Sequence, residues 1–203
     1  MIADKVKIYI DAGHGIHTAG KRSPDGLLRE GVWNRKAARL LVARLEDSAI
    51  PVTWINDYDT DDPLWYRCRK INELASEWPY GYQNCLALSV HCNAHLDNRW
   101  TDAHGWEVFT YTYASPLSTE AAVLMSSEAL SAGLTVRRTY PDRYYKTANY
   151  AMVRDTICPA ILVENAFMTN RADCEMLLSD EGTEKLVDVM YRGLKDYCQL
   201  YGR

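Results

Sequence analysis

Residues 85–91, CLALSVH, run almost without polar interruption and stop at a histidine. A strand with one wet face alternates apolar with polar, whereas a run that is apolar in both registers suits a central strand covered on both sides. Two other stretches have the same form. KIYIDAGHGI, residues 7–16, leads Ile8, Tyr9 and Ile10 into Asp11, Gly13 and Gly15 around His14, and PAILVENAF, residues 159–167, carries an apolar run to Glu164. PVTWIN (51–56) and GWEVFTYTY (105–113) read as further strands. Between them lie helical patterns. Val32, Ala37, Leu40, Leu41 and Leu45 recur at helical spacing, PLWYRCRKINELASEW (63–78) follows an acidic turn, and STEAAVLMSSEALSAG (118–133) has Ser118 or Thr119 as its cap. RADCEMLLSD and GTEKLVDVMYRGLKDYCQLY close the chain as helices. Alternation of strands with helices predicts an α/β fold: a single-domain three-layer sandwich over residues 1–203, with a mostly parallel mixed sheet of about six strands and helices on both faces.

The composition narrows the function. The chain has 203 residues, 47% of them hydrophobic, enough for one well-buried domain. A net charge of -4 and a pI near 5.7 argue against nucleic acid as a partner held by bulk electrostatics. No apolar run reaches the ~18 residues of a membrane span. The N-terminus leads straight into the first strand without a charged leader or apolar signal core, so export by a signal peptide is not expected. No repeat or flexible linker is visible, and no appended binding domain is expected. Six cysteines are scattered without a C-x-x-C pair, which predicts reduced, buried thiols.

Three apolar strands thus end in His14, His91 and Glu164, and parallel strands bring such ends to one edge. Glu30, in SPDGLLREG just before the first long helix, can return to the same edge. Two imidazoles and a carboxylate with an open fourth position make a catalytic zinc site, which leaves a second glutamate to handle protons. At this point either glutamate could be the ligand. His91 and His95 stand at i and i+4, but the strand pattern before them and the missing intervening glutamate argue against a helical ligand pair. His17 reads as a loop histidine, and His104, beside Gly105 at the start of a strand, is expected to face the cleft without touching metal. Cys92 follows His91 directly, and adjacent strand residues point to opposite faces, so a cysteine–histidine pair is not expected.

In order along the chain, IYIDAGHG, LLREGVWNRKAARLLVARLE, PLWYRCRKINELA, LALSVHCNAH, HGWEVFTY and PAILVENAFMTN resemble the zinc-dependent N-acetylmuramoyl-L-alanine amidases of the type 3 family, from about Lys7 to Tyr197. The resemblance implies one Zn2+ per chain held by His14, Glu30 and His91, with Glu164 as catalytic acid and base. It implies structural support of the site from Arg67 and Asn72. The substrate it implies is peptidoglycan, cut at the amide between N-acetylmuramic acid and L-alanine. Ile16 stands where the family usually has a second glycine after GHG, and Ala166 where a glycine is common, which bears on the loop shape.

Asn93 and the tyrosine- and arginine-rich stretch 136–150, with Tyr140, Arg143 and Tyr144, are candidates to bind sugar or stem peptide. A monomer that neither inserts into a membrane nor binds nucleic acid is expected. Without a leader, it would be made in the cytoplasm and reach the cell wall after release or export, as a phage-lysin-like or mobile-element enzyme does. A zinc peptidase acting on another amide and a non-catalytic wall-binding module are the alternatives; the latter has no use for Glu164.

Overall fold

The computed structural model describes residues 5–97 and 99–202. Its strands are β1 (Lys7–Ala12), β2 (Val52–Trp54), β3 (Cys85–Asn93), β4 (Glu107–Thr110), β5 (Lys146–Thr147) and β6 (Ala160–Phe167). Its helices are α1 (Glu30–Asp47), α2 (Leu64–Ser76), α3 (Pro116–Ser131), α4 (Ala151–Arg154), α5 (Arg171–Leu178) and α6 (Asp180–Tyr201). One six-stranded sheet runs β2-β1-β3-β6-β4-β5. β2, β1, β3 and β6 pair parallel, β4 runs antiparallel to β6, and β5 pairs parallel with β4. This is the mostly parallel mixed α/β sheet that the alternating pattern predicts.

Strand alternation divides the sheet into two unequal faces. Ile8 and Ile10, Leu86, Leu88 and Val90, and Ile161 and Val163 face a large core closed by α1, α3, α5 and α6. Tyr9, Cys85 and Ala87, Phe109, and Ala160 and Leu162 face a smaller core under α2 and α4. The small second core ends early toward the carboxyl ends of β1, β3 and β6. Polar side chains on that face are left at the edge of a cleft, as open α/β sheets do where they bind ligands.

Several local expectations shift. β3 runs on to Asn93 and β6 to Phe167, so His91 and Glu164 stand inside paired strand and are held more stiffly than loop residues. Of the predicted strand 105–113 only 107–110 form a continuous strand, with Trp106 adding an isolated parallel bridge to Val136. Ser115, not Ser118 or Thr119, caps α3, its hydroxyl accepting from Ser118 N at 3.2 Å, because Pro116 is preorganised for the first turn. Val32 is half exposed while Trp33 is buried, so the buried stripe of α1 is set one residue later than Val32 implies. All six cysteines are buried and unpaired. Among the described residues no helix is long and apolar enough to cross a membrane.

Candidate active site

Glu30 is the first residue of α1 rather than a loop residue before it, and a carboxylate there is favoured by the positive end of the helix dipole. The same helix fixes the loop that carries His14. Asn34 Nδ2 donates to Gly13 O at 2.9 Å, and Arg35 Nη1 donates to His14 O at 2.6 Å. The remaining Arg35 nitrogens reach Tyr58 O (2.7 Å) and Thr60 O (3.1 Å), tying the loop to the acidic turn as well.

His14 has a φ of 58°, a left-handed conformation that costs a non-glycine residue about 1 kcal/mol or more. The backbone clamps just described hold it there. Among the described non-glycine residues only Ala49 shares that conformation, so Ile16 does not carry the strain its β-branch would make costly. Two glycines permit close approach. A Cβ on Gly13 would lie 2.2 Å from the His91 ring, and one on Gly31 would lie 2.2 Å from Gly15 O.

The structure therefore brings His14, Glu30 and His91 together. Glu30 Oε1 lies 3.0 Å from His91 Nδ1 and 3.5 Å from His14 Nε2. The two rings meet edge to face at 5.1 Å. One ligand atom from each of the three residues lies within 4.8 Å of the others. Glu30 Oε2 is buried without a hydrogen-bond partner, a costly state for a carboxylate oxygen. Burial pushes the His14 pKa down to about 4 against the pull of Glu30, which leaves the ring neutral with a lone pair to donate. Burial works against charge on His91 too, but the hydrogen bond and charge of Glu30 and the charge of Glu164 outweigh it and hold His91 above the usual range. An orphaned carboxylate oxygen among two imidazoles fits a borderline cation such as zinc better than calcium or magnesium, which prefer oxygen ligands alone.

Glu164 is paired in register with His91 on one side and with Glu107 on the other, so the three side chains share one face. Its Oε2 is buried and unpartnered. Burial raises its pKa to about 8; Glu30 and Glu107 add to the rise, and His91 and Lys21 oppose it. Glu107 itself accepts from Arg137 Nε (2.6 Å), Lys146 Nζ (2.7 Å) and Asn93 Nδ2 (2.9 Å).

Beneath the cluster lies a polar layer. Buried Arg67 donates to Asp11 Oδ1 at 3.1 Å and to Asp61 Oδ1 at 2.6 Å, and Asp61 Oδ2 stands 3.9 Å from His14 Nδ1. Asp11 also accepts from Asn56 and Ser89. Asp61 Oδ2 accepts from Thr18 Oγ1, whose hydroxyl also accepts from Gly15 N, so Arg67 is tied through Asp61 to the loop that carries His14. Asn72 bonds Asp155 O and Ile157 N, locking α2 to the turn after α4.

Other sequence candidates lie apart. His17, His95 and His104 are exposed and outside the cluster. Cys92 is buried in the large core, on the face opposite His91. Asn93 lines the cleft, which holds about 550 Å³. Arg143 and Tyr144 instead line a separate hollow against α3, where Arg143 lies over Tyr140 and Tyr145, and Tyr140 lines neither. Packing of the 136–145 segment on α3 draws these side chains away. Its later residues Asn149 and Tyr150 reach the cleft, as do Lys21 and Arg154. Asn149 and Tyr150 fall at the end of the stretch 136–150 singled out by its composition, whereas nothing in the sequence marks Lys21 and Arg154, which the fold alone brings there.

The family model described as N-acetylmuramoyl-L-alanine amidase matches residues 8–196. The chain is 29% identical over 191 residues to N-acetylmuramoyl-L-alanine amidase LytC of Bacillus subtilis (strain 168), covering 94% of this chain and 35% of LytC. It is 30% identical over 175 residues to N-acetylmuramoyl-L-alanine amidase CwlM of Bacillus licheniformis, covering 86% of this chain and 61% of CwlM. The chain thus spans about a third of LytC and about three-fifths of CwlM. The fold superposes on the crystal structure of N-acetylmuramoyl-L-alanine amidase from Clostridium difficile 630 with a TM-score of 0.81 at 23% identity, covering 96% of this chain and 97% of that one.

Proposed function

The chain belongs to the type 3 N-acetylmuramoyl-L-alanine amidase family, and from that premise we propose that it is a zinc-dependent hydrolase of the amide between N-acetylmuramic acid and L-alanine in peptidoglycan. The observation that carries the reading is the convergence of His14, Glu30 and His91 beside a buried Glu164 with an unpartnered oxygen. A module that only binds cell wall needs neither the ligand set nor the carboxylate.

His14, Glu30 and His91 would hold the metal. When bound, zinc supplies Lewis acidity, which polarises a carbonyl and brings the pKa of water to about 7. Glu164 does the proton work. Its carboxylate takes a proton from the attacking water as general base, holds it at Oε2, and delivers it to the departing alanine nitrogen as general acid. Burial raises the affinity of the Glu164 carboxylate for a proton, the direction that a proton acceptor beside the cluster needs. Asn34 and Arg35 hold the loop that carries His14, and the sheet register sets Glu164 against His91. The water is the nucleophile, so no acyl-enzyme forms.

The test compares bound zinc and peptidoglycan hydrolysis in Glu164→Gln and Glu30→Gln. Glu164→Gln keeps the shape but cannot accept the proton, so it retains zinc while hydrolysis falls by about a hundredfold or more. Glu30→Gln loses zinc, since an amide is a poorer ligand than a carboxylate. Zinc lost from the first variant and kept by the second would exchange the two roles.

A further inference from the structure

Two basic side chains stand among the described residues lining the cleft, and they are not equivalent. Arg154 is engaged by Asp155 through two hydrogen bonds of 2.6 and 2.7 Å. Lys21 is not engaged in this way. Its Nζ lies 3.8 Å from Glu30 Oε2, within ion-pair range but too far for a hydrogen bond.

The position of Lys21 is fixed by the backbone. Glu30 N donates to Lys21 O at 3.0 Å, Arg22 and Arg29 form an antiparallel bridge, and Ser23 N donates to Leu28 O at 2.9 Å. Residues 22–29 therefore fold back as a short hairpin that sets Lys21 opposite the first residue of α1. The side chain is 42% exposed, so the ammonium sits where the cleft meets solvent, with its three donors turned to whatever enters. Once Glu30 serves as a metal ligand, its charge is directed to the metal and that of Lys21 is available to a ligand of opposite sign.

We propose that Lys21 receives a carboxylate of the substrate and seats an acidic stem peptide beside the ligand cluster, making it a determinant of specificity for stems with a free carboxylate near the scissile amide. This rests on the amidase reading and names the part of the substrate that the site prefers. A lysine is suited to the task, because a point charge on a flexible stem accepts a carboxylate over a range of approach angles. A cation at the rim also disfavours an amidated stem, which offers it no charge to offset its lost hydration.

The test uses metal-loaded Glu164→Gln protein, which holds substrate without turning it over, and two soluble muramoyl-peptide fragments that differ only in whether the stem carboxylate is free or amidated. Calorimetry should give about two- to fivefold tighter binding of the free-carboxylate fragment, as expected for a partly exposed ion pair. Adding Lys21→Met should abolish the difference, and Lys21→Arg should restore much of it. The preference should also shrink as ionic strength rises. Bound zinc should stay the same in Lys21→Met. Equal binding of both fragments before Lys21 is changed, or a preference that survives Lys21→Met, overturns the proposal and leaves the amidase reading intact. Zinc lost from Lys21→Met would show that Lys21 holds Glu30 instead and would overturn it as well. Failure of both fragments to bind would refute the amidase reading, and this proposal with it.

Discussion

Glu164 lies on a sheet face that also presents His91 and Glu107, yet Glu107 is neutralised by two cations and an amide while Glu164 keeps a bare, buried oxygen. That contrast between neighbouring carboxylates sets Glu107 apart from Glu164, for which we propose the proton-carrying role. It also gives a pH signature in metal-free protein. The folded-state pKa of Glu164, about 8, exceeds the ordinary value of 4.5, so its contribution to stability is full below about pH 4.5 and is lost as pH rises through 8. Glu164→Gln removes that titration. Melting curves of chelator-treated protein should show the variant gaining stability relative to wild type between pH 5 and pH 8, whereas parallel profiles would mean that Glu164 is not held in a desolvated site. At this scale the sequence was most informative. His14, His91 and Glu164 each end an apolar run, and such runs have few places to go other than central strands. Lys21 and Arg154 had no comparable signal, because their places depend on how loops cross the cleft.

Elements hold these residues through close approach and through a buried ionic layer. Gly13 lets β1 end against the His91 ring, where a Cβ would sit 2.2 Å from a ring atom. Gly13→Ala should displace that ring and weaken zinc binding while the melting temperature of metal-free protein changes less than in a core truncation; unchanged zinc affinity would show that the ring tolerates the methyl. Arg67 is nearly inaccessible, and its loss strands Asp11 as an uncompensated buried charge, a change that costs about 3–5 kcal/mol. Arg67→Ala should therefore lower the denaturation midpoint by an amount equivalent to several kcal/mol, and a loss under 1 kcal/mol would contradict the network. Element boundaries were harder to read than element identities. Ser115 caps α3 ahead of Pro116, and Glu30 lies inside α1 rather than before it, both consequences of local hydrogen bonds that periodicity does not report. The aromatic segment 136–150 divides for a related reason: its end, Asn149 and Tyr150, lines the cleft as its composition suggests, while Arg143 and Tyr144 line a separate hollow against α3.

At the scale of the whole molecule, the four parallel strands β2, β1, β3 and β6 give a rigid edge, and the uneven cover on the sheet's two faces opens a cleft there. The large core beneath α1, α3 and α6 supplies stability, while the thinner layer of α2 and α4 leaves open the cleft that holds His14, Glu30, His91 and Glu164. That architecture was legible from the alternation of buried strands and amphipathic helices. The side of the sheet that would be open was not, since it depends on the lengths of α2 and α4. The most direct measurement digests purified peptidoglycan with zinc-loaded protein and identifies the new chemical ends. The account predicts released stem peptides that begin with a free L-alanine amine, with no new reducing sugar ends; cleavage within the peptide or the glycan, or no release at all, would contradict it.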